Sequence, residues 1–300
     1  MSPRRDSPAG RAYLDLQALA RRAGRPAQEY LVMYVHERFL FRLARSRHRH
    51  RMVLKGGMLL AALDTRRPTA DIDLLATGLR NDVDSVAAAV REVLDIEADD
   101  GVVFSSDRLT ARVIRDAELY AGVRLAVPAM VDRARTVLRA DVNVGDPVTP
   151  APVEIEYPGL LAGSFRLLGY PLASVLAEKI ITMIDRGEAT TRERDFADVV
   201  LLTRRHRVSA AELAAALRAT AAHRQSTLRP LAVLAGRLGP ASQQAWSVYL
   251  DRNGLASQLP ASYAEAITAV AEFADPLLTG TAGVAMWDPV ARTWAVEGHS

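Results

Sequence analysis

Two acidic residues at alternate positions, Asp71 and Asp73, are the clearest candidates for chemistry in this chain of 300 residues. They belong to the run Asp71-Ile72-Asp73-Leu74-Leu75, whose apolar alternation predicts a β-strand. Alternate residues of a strand share a face, so Ile72 and Leu74 are expected in the core and both carboxylates on the open side. Two adjacent carboxylates repel each other unless a cation joins them, and Mg²⁺ prefers oxygen ligands. The spacing therefore predicts a metal site, although an Asp-x-Asp pair also arises by chance.

The segment before this strand carries residues suited to binding phosphate. Gly56 and Gly57 lie between a predicted strand and a predicted helix, where glycines let backbone N–H groups approach a phosphate. Thr69 would share the face of Asp71 if the strand begins early, and Arg67 adds positive charge at the same rim. The alternative is a plain strand–turn–helix in which the glycines serve only tight packing.

Lysine is rare in the sequence. Lysine and arginine together number 38, and only Lys55 and Lys179 are lysines. A lysine ammonium approaches a phosphate as a compact point charge, whereas the arginine guanidinium is a broad planar fork. Lys55 directly precedes the glycine pair and is a candidate phosphate ligand. The alternative is that a biased composition has simply left two lysines behind.

A third carboxylate, Asp141, could complete a metal cage. Alternation over residues 137–143 groups Asp141 with Arg139 on a mostly polar face of a predicted strand. Asp141 could then lie across the sheet from Asp71 and Asp73. The alternative is that Asp141 faces solvent or pairs with Arg139.

A second group of charged residues falls in the helical part of the sequence. Lys179 lies on one predicted helix, and Asp195 and Asp198, three residues apart, share a face of the next. Structurally, these residues would form a half-buried interhelical salt bridge. Chemically, Lys179 would bind nucleotide phosphates while Asp198 holds Lys179 or an attacking hydroxyl. Position alone does not choose between these readings, and Arg192 and Arg194 could also meet phosphate.

Composition excludes several classes of protein. With 49% hydrophobic and 24% charged residues, the chain can bury a core, and the absence of cysteine excludes disulfides, thiolate nucleophiles and Cys-ligated zinc. No apolar run approaches the roughly 20 residues of a membrane span, and the N-terminus lacks the apolar core of a secretion signal. A cytoplasmic protein is predicted. The net charge of +3 suits an acidic partner such as RNA or a nucleotide without requiring one.

Hydrophobic periodicity predicts an α+β fold in three parts. Residues 1–168 form a mixed β-sheet domain with flanking helices, residues 169–277 form an α-helical C-terminal domain, and residues 278–300 form a flexible tail or one that docks. The predicted elements of the first part are two helices over 10–48, strands at 52–54 and 71–75, helices at 56–63 and 82–94, and β-rich runs from about 102 to 157 with a turn at 116–117. Helices are predicted in the second part at 171–185, 195–206, 209–222, 227–237, 242–251 and 261–274.

These residues, in this order, resemble the AbiEii family of nucleotidyltransferase toxins over roughly residues 27–275. The matching segments are Val53-Leu54-Lys55-Gly56-Gly57, Arg67-Pro68-Thr69-Ala70-Asp71-Ile72-Asp73-Leu74-Leu75, Asp100-Gly101-Val102-Val103-Phe104, Tyr120-Ala121-Gly122-Val123-Arg124, Asp141-Val142-Asn143-Val144-Gly145-Asp146, Tyr170-Pro171, Ala177-Glu178-Lys179 and Arg194-Asp195-Phe196-Ala197-Asp198. The sequence departs from the family pattern at Ile181-Thr182, where a His-Ala pair is common, and at Arg194, where a lysine often precedes the aspartate. Both departures could alter nucleotide or acceptor preference.

The resemblance implies a nucleotidyltransferase core shared with DNA polymerase β, followed by a helical domain. It implies that Asp71 and Asp73 bind Mg²⁺, that Lys179 contacts nucleotide phosphates and that Asp198 is essential in the same pocket. Members act as toxins of toxin–antitoxin or phage-defence systems. Some transfer nucleotides from an NTP to the 3′ acceptor end of tRNA, which blocks translation. The implied partners are an NTP, tRNA and a separate antitoxin protein, with no membrane.

We therefore expect a Mg²⁺-dependent nucleotidyltransferase of the EC 2.7.7 type, most simply a monomer. A basic groove for tRNA could be lined by arginines between residues 42 and 67, and the alternative is that these arginines cover a solvated helix end. The alternatives are a protein or small-molecule acceptor, or a non-catalytic nucleotide-binding module. The expected site residues are Asp71, Asp73, Lys179 and Asp198 for catalysis, Lys55, Gly56, Gly57, Arg67, Thr69 and Asp195 for nucleotide and phosphate, and Asp71, Asp73 and Asp141 for the metal.

Overall fold

The computed structural model describes residues 5–114, 122–145, 148–161, 163–187, 193–237 and 239–296. Three features named from the sequence lie outside these residues: the turn at 116–117, Arg192, and the motif residues Tyr120, Ala121 and Asp146. The chain divides into two compact units. The first comprises Met1–Ala62, Arg66–Asp146 and Pro152–Tyr170, and the second comprises Leu63–Thr65, Pro147–Ala151 and Pro171–Ser300. The main boundary, after Tyr170, lies two residues beyond the predicted one.

The first unit is a mixed sheet with flanking helices, which is the predicted fold class. Its helices are α1 (Pro8–Arg22), α2 (Ala27–Arg45), α3 (Gly56–Leu59) and α4 (Val83–Leu94). Its strands are β1 (Met52–Lys55), β2 (Ile72–Ala76), β3 (Val102–Phe104), β4 (Thr110–Ile114), β5 (Gly122–Val131), β6 (Ala134–Val144), β7 (Val153–Pro158) and β8 (Ser164–Gly169). The sequence did not predict β8.

The strand order places β1 and β2 in the middle of the sheet. The order is β3-β5-β6-β2-β1-β8-β7, and β4 pairs with β5 beside β3. The pairs β2–β6 and β1–β8 are parallel, and the others are antiparallel. Acidic β2 is therefore flanked on one side by β1, which leads into the glycine pair, and on the other by β6.

Alternation of apolar residues anchors the strands that carry the candidate site. Ile72 and Leu74 of β2 are fully buried. On β6, the buried residues are at most 1% exposed: Leu138, Ala140 and Val142. Helix α2 packs against β6, where Gln28 Nε2 lies 3.5 Å from Thr136 Oγ1. The even-numbered residues of β6 therefore face the helix layer, and the odd-numbered ones face the other way.

Side-chain caps fix the starts of the flanking helices. Ser7 Oγ accepts a hydrogen bond from Gly10 N at the start of α1, and Asp82 Oδ1 accepts one from Ser85 N at the start of α4. Each cap satisfies a backbone N–H that has no partner within the helix, and such a cap contributes about 1 kcal/mol.

The second unit is mainly helical. Its helices are α5 (Leu172–Arg186), α6 (Glu193–Thr203), α7 (Ala210–Arg224), α8 (Pro240–Asn253) and α9 (Tyr263–Leu278), and a 3-10 helix spans Ala232–Arg237 where a longer helix was predicted. A small sheet also belongs to this unit, in the order β11 (Thr293–Ala295), β10 (Met286–Asp288) and β9 (Val208–Ser209). No helix among the described residues combines the length and apolarity needed to cross a membrane.

The sequence left open whether the C-terminal segment is a flexible tail or one that docks, and residues 286–295 form a hairpin that packs on the helical unit. The β10–β11 hairpin is held by its two tryptophans: Trp287 Nε1 donates to Thr203 O at 2.8 Å, and Trp294 Nε1 donates to Phe273 O at 2.9 Å. Both indole rings also pack on the Phe273 ring, with centroids 4.9 and 5.2 Å away. Trp287 and Trp294 are therefore the apolar anchors of this segment.

Candidate active site

The strand register brings five charged residues into one row across the sheet. Lys55 lies opposite Asp73, Asp73 opposite Asp141, Asp141 opposite Arg124, and Arg124 opposite Arg112. Residues directly opposite each other on neighbouring strands point to the same face. The row therefore reads cation, anion, anion, cation, cation from β1 to β4, with the two carboxylates at its centre.

The glycine loop packs directly on the acidic strand. Gly56 has φ +66°, and a Cβ at this position would lie 1.9 Å from Asp73 Oδ2. A Cβ on Gly57 would lie 2.7 Å from Thr69 Oγ1, and that hydroxyl lies 3.4 Å from Asp71 Oδ1. The backbone of both glycines thus approaches these side chains more closely than any other residue would allow. The structure brings all five of these predicted site residues together.

Two predicted cations also lie at this site. A Cβ on Gly57 would be 3.6 Å from Arg67 Nη1, so the guanidinium lies beside the glycine loop. Lys55 is buried, and its Nζ lies 5.6 Å from the centre of the Tyr170 ring. A buried ammonium placed opposite Asp73 in the register adds positive charge next to the carboxylates.

A buried carboxylate supports the loop on which Arg67 lies. Glu37 Oε2 accepts a hydrogen bond from Leu160 N at 2.8 Å and lies 3.6 Å from Arg66 Nη1. Burial raises the pKa of Glu37, and the guanidiniums of Arg38 and Arg66 oppose that rise. Glu37 therefore ties the loop that precedes the acidic strand to helix α2.

Asp141 lies beside Asp73 in the register, but it is engaged by an arginine. Arg124 donates from Nε to Asp141 Oδ1 at 2.8 Å and from Nη2 to Oδ2 at 2.6 Å. The sequence suggested Arg139 as the alternative partner. Arg124 takes that place because it lies directly across the strand pair, whereas Arg139 lies two residues away along β6.

The oxygen donors fit a magnesium ion in part. Asp71 and Asp73 supply carboxylate oxygens beside a loop without side chains, and Mg²⁺ commonly takes one or two carboxylates and completes its shell with water and substrate phosphates. Within the described ranges, no group of three His, Cys, Asp or Glu residues is arranged to hold a metal ion. Arg124 binds both oxygens of Asp141 in this structure, and the role of Asp141 as a third metal ligand stays a prediction.

Lys179 forms an ion cluster within the helical unit. Its Nζ lies 3.1 Å from Asp195 Oδ1 and 2.6 Å from Asp198 Oδ2, and the side chain of Asp198 is only 1% exposed. One ammonium thus joins two carboxylates of α6. This geometry is that of an interhelical salt bridge, and the phosphate-binding role of Lys179 stays a prediction.

The arginines predicted to line one basic groove lie in different environments in the structure. Arg42 is buried and donates to both oxygens of Asp100 at 2.6 and 3.2 Å, so it lines no groove. Arg47, Arg49 and Arg51 are exposed, but they precede β1, whereas the glycine loop follows it. The four residues of β1 separate the two ends by about 13 Å.

Sequence reasoning missed Arg124 and Arg112 as neighbours of the acidic pair. Arg124 appeared in a family-like segment, but nothing in its own strand marked it as opposite Asp141. Only the pairing of β4, β5 and β6 places the two arginines in the acidic row.

The central sheet, its flanking helices and the carboxylates beside the glycine loop define a nucleotidyltransferase-like protein. The family model for the "nucleotidyl transferase AbiEii toxin, type IV TA system" matches residues 38–270, so the chain belongs to the AbiEii family of toxins of type IV toxin–antitoxin systems. An antitoxin partner and a nucleotide substrate follow from that membership. The predicted family and fold class are confirmed.

Two solved structures are similar to this chain in fold. JHP933 from Helicobacter pylori is 15% identical, with 85% of this chain and 93% of that chain covered at a TM-score of 0.48. A second Helicobacter pylori protein, assigned provisionally to the nucleotidyltransferases, is 14% identical, with 82% and 92% covered at a TM-score of 0.49. The search of curated proteins found no match.

Proposed function

We propose that this protein transfers a nucleoside monophosphate from an NTP to an acceptor hydroxyl at the site formed by Asp71, Asp73 and the glycine loop. The observation that carries the proposal is the contact of Gly56 with the Asp73 carboxylate, where a Cβ would lie 1.9 Å from Oδ2. Only glycine lets the backbone of this loop lie directly against the carboxylate, so that its N–H groups are next to the atoms that would hold the metal ion. Membership in a family of nucleotidyltransferase toxins supports the same chemistry.

Asp71 and Asp73 would hold Mg²⁺, which supplies charge neutralisation on the triphosphate and lowers the pKa of the acceptor hydroxyl. The backbone N–H groups of Gly56 and Gly57 and the Thr69 hydroxyl position phosphate oxygens. Lys55 and Arg67 add positive charge where phosphate charge accumulates. Asp141 would be a further ligand only if Arg124 released its carboxylate.

In the proposed reaction the acceptor oxygen attacks the α-phosphate of the NTP. A new oxygen–phosphorus bond forms, and the bond from the α-phosphorus to the oxygen that bridges it to the β-phosphate breaks. Pyrophosphate leaves with that oxygen, and the hydroxyl proton passes to water. The protein contributes mainly by positioning and by electrostatic stabilisation. We propose the 3′ end of tRNA as acceptor, so that modified tRNA no longer supports translation. Lys179, Asp195 and Asp198 stay predicted participants.

Label transfer tests this function. The protein is incubated with Mg²⁺, total tRNA and each of four α-labelled NTPs in turn, beside the Asp73→Asn variant and the matched control Asp99→Asn, an exposed aspartate on the loop after α4. We expect label on tRNA, a loss of about 10³-fold or more in Asp73→Asn, and no change in the control. Chelation should stop transfer, and added Mg²⁺ should restore it.

Two outcomes would contradict the proposal. Full activity of Asp73→Asn would remove the acidic strand from the mechanism. A folded protein that labels no tRNA with any NTP would exclude tRNA as the acceptor, and transfer to a protein or small molecule would then be assayed with the same labelled NTPs.

A further inference from the structure

Four arginines share one face of the sheet beside the acidic pair. Alternation places Arg112 of β4, Arg124 of β5, and Arg135 and Arg139 of β6 on the same face as Asp141. The pairing of these strands is regular throughout, so no bulge reverses the alternation. We call Arg112, Arg124, Arg135 and Arg139 the basic sheet face.

The basic sheet face is open to solvent. Arg112, Arg135 and Arg139 are exposed, and the Arg124 side chain is 39% exposed. Helix α2 covers the opposite face, where Leu138 and Ala140 are each 1% exposed. Of the residues that β4, β5 and β6 present on the arginine face, Asp141 is the single acidic one. Four cations therefore share this face with one carboxylate.

The arrangement of these arginines leaves repulsion that an anion would relieve. Arg112 lies directly opposite Arg124 in the register, and like charges at opposed positions destabilise a strand pair. Asp141 binds the guanidinium of Arg124, and it does so on the side away from β4. A phosphate bound on this face would offset the repulsion, and the planar guanidinium fork binds phosphate in a bidentate manner.

We propose that the basic sheet face binds the phosphate backbone of the RNA acceptor and directs its end towards Asp73. This inference rests on the proposed function and names the surface that its acceptor occupies. Three strand spacings separate Arg112 from Asp73, a distance of about 14 Å, and the same row crosses Arg124 and Asp141 on the way. RNA fits better than an acidic protein surface, because only an acceptor requires a basic path that ends at the catalytic carboxylates.

The test is RNA binding by a triple variant, Arg112→Gln/Arg135→Gln/Arg139→Gln. These three residues are exposed, and the substitutions leave the Arg124–Asp141 pair in place. The matched control, Arg47→Gln/Arg49→Gln/Arg51→Gln, removes the same number of exposed charges from the turn before β1. Fluorescence anisotropy with tRNA labelled at its 5′ end, over a series of KCl concentrations and without NTP, gives the Kd and its salt dependence.

We expect the Kd of the sheet-face variant to rise on the order of tenfold. Its slope of log Kd against log salt should become shallower by about 2, since each lost phosphate contact on a single strand contributes about 0.7. The control should keep both values near those of the wild-type protein. Thermal unfolding of both variants verifies that each is folded.

Unchanged affinity and salt dependence in the sheet-face variant would overturn the inference and leave an acidic protein as the occupant of this face. Loss of binding in the control alone would also overturn it, because the RNA would then lie on the turn before β1. The proposed function is tested separately: wild-type protein that binds RNA through the basic sheet face but transfers no nucleotide would sustain this inference and refute that function.

Discussion

At the scale of single residues, the candidate active site depends on the absence of a side chain at Gly56. Gly56 has φ +66° and Gly78 has φ +67°, but only at Gly56 would a Cβ meet another atom, Asp73 Oδ2, at 1.9 Å. An alanine at either position carries the backbone strain of a left-handed conformation, about 1 kcal/mol. Only the alanine at residue 56 must also displace the Asp73 carboxylate.

We therefore expect backbone strain to lower the free energy of unfolding by about 1 kcal/mol in both Gly56→Ala and Gly78→Ala. The clash with Asp73 should lower it further in Gly56→Ala. Nucleotide transfer should fall by about 100-fold or more in Gly56→Ala, because small misplacements of reacting groups are costly, and should be unchanged in Gly78→Ala. Urea unfolding and label transfer measure the two effects. Equal activity in the two variants would show that Asp73 does not need its present position.

At the scale of elements, α5 and α6 are joined by an ion cluster. Lys179 contacts two carboxylates, Asp195 and Asp198, whose side chains are 8% and 1% exposed. Removing Lys179 breaks both contacts, whereas removing Asp195 leaves the shorter contact of 2.6 Å between Lys179 and Asp198 in place. Breaking a buried ion pair by deleting one partner typically costs about 3–5 kcal/mol.

These contacts predict different costs for the two substitutions. Lys179→Met should lower the free energy of unfolding by about 3 kcal/mol or more, and Asp195→Asn should lower it by less, because the contact between Lys179 and Asp198 remains. Chemical denaturation compares them directly. The Asp195→Asn protein should keep more of its stability. If Lys179 also contacts phosphate, the Lys179→Met protein will lose nucleotide transfer even at temperatures where it stays folded. Full transfer by folded Lys179→Met would assign the lysine a structural role alone.

At the scale of the whole molecule, the C-terminal hairpin belongs to the folded protein. Trp287 is 4% exposed, packs on Phe273 and donates a hydrogen bond to Thr203 O, which lies at the end of α6. Truncating a buried tryptophan to alanine removes a large apolar contact and leaves a cavity, at a cost of about 3–5 kcal/mol. The hairpin thus stabilises the helices on which it packs.

We expect Trp287→Ala to lower the free energy of unfolding by about 3–5 kcal/mol. Val290→Ala in the same hairpin, at a residue 89% exposed, should change it by less than about 0.5 kcal/mol. Thermal and urea unfolding provide the measurement. Equal stability of the two variants would mean that the hairpin contributes nothing to the helical unit.

The sequence by itself determined the local features of this protein. The alternation around Asp71 and Asp73, the adjoining glycines, and the apolar periods of the main helices were visible because each depends on residues within one turn or one strand. The family was also visible, because its motifs are short segments in a set order. These features located the acidic strand and the loop that packs on it.

Only the tertiary structure decided which distant residues meet. The Arg124–Asp141 pair, the basic sheet face and the burial of Arg42 against Asp100 all depend on pairings between segments far apart in the chain. The alternation within a strand shows which residues share a face, but not which strand lies beside it or in what register. For the same reason the two tryptophans of the C-terminal hairpin had no visible partner until Phe273 and Thr203 were brought to them.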